Sequence, residues 1–188
     1  MSESFNALLS RLTREQDTLL EEIEMQENKF NLGKYEEFLG TEPKPGKPIG
    51  GNGGTVSVDA DGITWLIPCD YTNVSSGFGM RYHPITGAYS MHSGVDLWRS
   101  GIYGAPIYAT RDGVVTMSRW YGSGGNTIAI QHDDTYSSVY MHMSWFAVSA
   151  GDYVTAGQII GYVGNSGRVS GAHLHFEIRK DGIAQNPL

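Results

Sequence analysis

The sequence holds a single cysteine, Cys69. One cysteine forms no internal disulfide and no cysteine-rich metal cluster, so Cys69 reads as a small buried apolar residue. No stretch approaches the roughly 20 apolar residues that cross a bilayer, so no membrane-spanning helix is expected. The opening MSESFNALLSRLTREQ lacks the basic start and unbroken apolar run of a secretory signal. Charge is sparse, at 18% of residues, with a net of -7. No basic stripe is present, which argues against nucleic acid as a partner. The acidity is local: residues 1–40 carry nine acidic and four basic side chains, and the other 148 carry eleven and nine.

What is present suits one β-rich domain with an appendage. The 188 residues are 40% hydrophobic, enough for a packed core, and include 25 Gly and 11 Tyr. Residues 1–40 form the appendage. Phe5, Leu9, Leu12, Leu19, Ile23 and Phe30 step by threes and fours along an expected helix, with Gln16 and Gln26 interrupting the seam. Such a helix either self-associates or binds a partner, or lies loosely on the domain. Residues 41–61 read as a linker, stiffened and then loosened by the prolines and glycines of TEPKPGKPIGGNGG. From residue 62 to 188 the pattern is short runs punctuated by Gly, Asp and Asn. Strands are expected at 113–120, 126–132, 137–145, 158–164 and 173–179, which makes the fold class mainly β, a compact antiparallel domain.

The chemistry concentrates in the histidines. In AHLHFE (172–177), alternation puts His173 and His175 on one face of a strand and Leu174 on the other. In MHSGVD (91–96), His92 and Asp96 are an even number of positions apart and share a face if extended, with Gly94 allowing a bend. Either motif alone is common by chance. Together they supply two His and one Asp, the three-ligand pattern of a catalytic zinc site whose fourth place is left to water. Hydrolysis also needs a base and a positive group near the developing oxyanion, tasks for which His142 (in VYMHMS) and His173 remain. As isolated residues, these histidines read equally as hydrogen-bonded surface groups.

The set FGMRYHPITG, MHSGVDL, GNTIAIQH, VYMHMS and GAHLHFEIR, in this order, resembles the lysostaphin/LytM-type zinc metallopeptidases from about residue 76 to 187. The resemblance implies an antiparallel sheet with a zinc-floored groove and one zinc ion held by His92, Asp96 and His175. It implies His142 and His173 as the catalytic pair, without assigning which is the base, and peptides of bacterial peptidoglycan as substrate. The one departure is Met143, where the family usually has a leucine-like residue. Arg81, His83, Asn126 and Tyr140 are weaker candidates for the groove wall. His132 and His83 read as structural, His83 at most touching substrate. Activity would be exerted outside the cell, on the wall, by a chain that is virion-associated, released by lysis, or part of a longer secreted protein. The alternative is a phage tail protein or wall-binding module of the same fold whose cleavage is secondary or latent, with Asn52, Asp59 or Asp61 of the linker plugging the groove. A D-Ala-D-Ala carboxypeptidase-type zinc site would require an ExxH element, whereas Glu177 follows His175.

Overall fold

The computed structural model describes residues 56–58 (backbone only), 62–82, 87 and 89–188. The expected helix over 1–40, His83, Asn52, Asp59 and Asp61 lie outside these residues. Fourteen strands follow one another: β1 Val56–Val58, β2 Thr64–Leu66, β3 Asn73–Ser76, β4 Gly79–Tyr82, β5 Tyr89–His92, β6 Val95–Trp98, β7 Pro106–Tyr108, β8 Gly113–Tyr121, β9 Gly125–Gln131, β10 Tyr136–Phe146, β11 Tyr153–Val154, β12 Ile159–Val163, β13 Leu174–Lys180 and β14 Ile183–Gln185. Every pairing among them is antiparallel. The five strands expected from alternation are β8, β9, β10, β12 and β13. The ladder begins earlier than the sequence suggested, because β1, inside the stretch that reads as linker, pairs with β2.

The main sheet runs β11-β8-β9-β10-β13-β6-β3, with β12 beside β10 and β7, and β14 beside β13. β4 and β5 form a hairpin of their own. The central strand β13 is buried from Leu174 through Ile178. Leu174, Phe176 and Ile178 join Leu97, Ile107, Ile128, Ile130, Ile160 and Trp65 in one core cluster. Burying a side chain of this size stabilises by about 1.5–3 kcal/mol. Alternation along β13 sends the odd-numbered residues His175, Glu177 and Arg179 to the opposite face. Cys69 is buried as expected, and burial pushes its thiol up to about 12, which makes it a poor nucleophile.

A candidate metal centre where three strands meet

His92 ends β5 and Asp96 lies in β6, so the two are not neighbours on one continuous strand. The chain turns at Ser93 and Gly94 and passes from the hairpin into the main sheet. Gly94 is needed for close approach here: a Cβ at this position would lie 2.3 Å from the carbonyl oxygen of Phe176 on β13. The close contact presses the turn against β13, where His175 faces Asp96 in the ladder.

Three donor atoms converge as a result. His92 Nε2 lies 3.2 Å from Asp96 Oδ1 and 3.0 Å from His175 Nδ1, and His175 Nδ1 lies 2.9 Å from Asp96 Oδ1. All three residues are buried. The remaining ring nitrogens are engaged: His92 Nδ1–H donates to Gly77 O at 2.7 Å, and His175 Nε2–H donates to Glu177 Oε1 at 3.0 Å. With both imidazoles neutral, three acceptors face one point and no donor lies between them. A cation satisfies that arrangement, and the donor set of two imidazoles and a carboxylate suits zinc. Tetrahedral zinc with ligands at about 2.0–2.2 Å spaces its donor atoms about 3.4 Å apart, close to the separations found. Among the described residues this is the one such group of three potential ligands.

The electrostatics agree. Burial would raise the Asp96 carboxyl, but hydrogen bonds from His173, His175 and His92 outweigh it and hold the group well below the usual carboxylate range. Burial would lower His175, but Asp96 and Glu177 outweigh it and bring it up to about 9.

Two more imidazoles border the site. His173 donates Nδ1–H to Gly171 O at 2.9 Å, and its Nε2 lies 3.5 Å from Asp96 Oδ1. His142 donates Nδ1–H to Ser166 O at 2.9 Å, and its Nε2 has no hydrogen-bond partner among the described residues. The His142 ring lies 4.8 Å from that of His173 and 6.0 Å from that of His175, centre to centre. Burial, followed by the nearby His173, pushes His142 down to about 4, so it is neutral at pH 7.

A break in the ladder aims His142. Tyr140 pairs with Ile128 and Met143 with Asn126, so β10 carries one extra residue against β9. His142 absorbs it with φ 63, a left-handed conformation that costs roughly 1–3 kcal/mol in a non-glycine residue. Asn126 Nδ2–H and the Ser166 hydroxyl both donate to Met143 O, at 3.2 and 2.8 Å, and clamp the bulge. Tyr140 and His142 therefore do not share a face as an unbroken strand would require. Tyr140 is a correction to the groove reading. It is fully buried, and its hydroxyl bonds to Thr110 and Ser138 in the core. Arg81 does border the site, with Nη2 3.7 Å from Asp96 Oδ2.

Glu177 was not singled out from the sequence as part of the site. Its signal was there in the alternation of HLHFE, which puts residues 175 and 177 on one face.

The sequence and the fold resemble those of known proteins. The family model described as Peptidase family M23 matches residues 90–187. Peptidoglycan DD-endopeptidase ShyC of Vibrio cholerae serotype O1 is 42% identical over 121 residues, covering 64% of this chain and 28% of that protein. The chain thus spans little more than a quarter of the length of this curated relative. Among solved structures, a zinc containing peptidase from Vibrio cholerae superposes with a TM-score of 0.60 at 32% identity, over 70% of this chain and 45% of that one. The catalytic domain of the antimicrobial peptidase lysostaphin from Staphylococcus simulans gives 0.55 at 36% identity, over 61% and 88%. The chain belongs to peptidase family M23.

Proposed function

We propose that this chain is a zinc-dependent endopeptidase that hydrolyses peptide cross-links or bridges of bacterial peptidoglycan. The observation that carries the reading is the meeting of His92 Nε2, Asp96 Oδ1 and His175 Nδ1 within 3.2 Å of one another, beside two further imidazoles. Family membership and the printed activities of the relatives support the substrate class.

His92, Asp96 and His175 would hold the ion. Zinc bound there supplies Lewis acidity and lowers the pKa of a bound water to about 7. The protein's own groups do the remaining work. His142 and His173 are both fixed at Nδ1 by backbone carbonyls, so each presents Nε2 to the site. Between them they accept the proton of the attacking water and, once protonated, donate to the developing oxyanion or the leaving amine. The Ser166 carbonyl and the clamped bulge keep His142 from rotating away. Arg81, against the outer oxygen of Asp96, and Asn126, behind the bulge, support these groups.

Delivery on a phage particle is the alternative context. No observation on the described residues favours it, and the cell-wall reading does not depend on it. The test is mass spectrometry of fragments released from purified walls of several species. Zinc-loaded protein is expected to release peptides with new amino termini, chelation to stop release, and zinc to restore it. Walls left intact by the zinc-loaded chain in every species would reject the reading.

A further inference from the structure

We infer that Glu177 is a positioning residue that selects Nδ1 of His175 as the metal-binding nitrogen; the inference rests on the zinc reading above. Glu177 is 1% exposed, a place where an unpaired carboxylate is very costly. Each of its oxygens is paired. Oε1 accepts His175 Nε2–H at 3.0 Å and the Ser93 hydroxyl, and Oε2 accepts Arg179 Nε–H at 2.7 Å.

Three donors thus face one buried acceptor group. The anion keeps a proton on Nε2 of His175, so the lone pair is on Nδ1, the atom that faces Asp96 and His92. Ser93 belongs to the turn between His92 and Asp96, so the same carboxylate ties the turn carrying two ligands to the strand carrying the third. Arg179 holds the far oxygen and prevents the carboxylate from swinging off His175. A glutamine here cannot satisfy the set. Its NH₂ must face either Arg179, which only donates, or the pair His175 and Ser93, which could accept only with the His175 proton moved to Nδ1.

The experiment compares the wild-type chain with Glu177→Gln, Glu177→Asp and His175→Ala, each purified metal-free. Zinc dissociation constants are read by competition with a chromophoric chelator. Melting temperatures of the metal-free forms report folding, and ¹⁵N shifts of the zinc-loaded forms report the His175 tautomer. Partners of metal-bound histidines are worth about 10–100-fold in affinity, so Glu177→Gln is expected to bind zinc at least tenfold more weakly while still folded. It should also lose the single Nε2-protonated signature of His175. Should Glu177→Gln fail to fold, Glu177→Asp carries the test, because it keeps the charge but draws the carboxylate back from His175. Zinc affinity within tenfold of wild type in a folded variant, with the His175 signature unchanged, overturns the role of Glu177 and leaves the metal site standing. A wild-type chain that binds zinc no better than His175→Ala overturns the metal reading itself.

Discussion

His132 and His142 make an instructive pair. Each donates Nδ1–H to a backbone carbonyl, His132 to Asp112 at 2.8 Å and His142 to Ser166 at 2.9 Å. Each is pushed down to about 4, with burial as the first cause. They differ in what Nε2 meets. That of His132 contacts the Ser138 hydroxyl at 2.7 Å, which in turn bonds to Tyr140, while the ring packs edge-on against Trp65. That of His142 meets no hydrogen-bond partner among the described residues and stands beside His173 and His175. One network is closed and holds strands together, and the other is open toward a site. A depressed histidine pKa is therefore no mark of catalysis by itself; the partner of the second nitrogen decides.

The contrast can be broken by substitution. The largest effect belongs to His175→Ala, which leaves two protein ligands and is expected to abolish zinc binding and wall cleavage together, as read by metal analysis and fragment release. His142→Ala should retain zinc and lose about 10²–10⁴-fold in kcat, the usual worth of a proton-transferring side chain. His132→Gln should do the reverse. Its kcat stays near wild type, while stability to urea falls by about 1–3 kcal/mol because buried hydrogen bonds are disturbed. A large loss of kcat in a folded, zinc-loaded His132→Gln protein would erase the distinction between the two networks.

Acid sharpens the comparison by a smaller step. A histidine lowered to about 4 in the folded chain, against about 6.5 when unfolded, contributes stability that is full above pH 6.5 and is lost as pH falls toward 4. The urea midpoint of the metal-free protein should drop across that window, and His132→Gln should flatten part of the drop. A midpoint that holds constant from pH 6.5 to 4 would contradict the burial of both rings.

The long strands were legible because alternation repeats enough times to be read, as in β9 and β13. β3, β7 and β11 have four, three and two residues, and what defines them is their partners, which no local pattern reveals. The three residues that meet, His92, Asp96 and His175, were legible by type and order. The reason they meet was not. His92 and Asp96 come together through a turn pressed onto β13, not through a shared strand face. The aim of His142 depends on one extra residue opposite β9, a register that is settled only when the sheet forms. An unbroken strand would have put Tyr140 on the same face as His142. The bulge that turns His142 to the site leaves Tyr140 in the core.

X-ray absorption at the zinc edge of the metal-loaded chain addresses the central assignment most directly. Two imidazoles and a carboxylate around one ion should give nitrogen and oxygen neighbours at about 2.0–2.2 Å, two imidazole scattering patterns and no sulfur. A sulfur neighbour, a single imidazole, or a folded chain that takes up no zinc would contradict it.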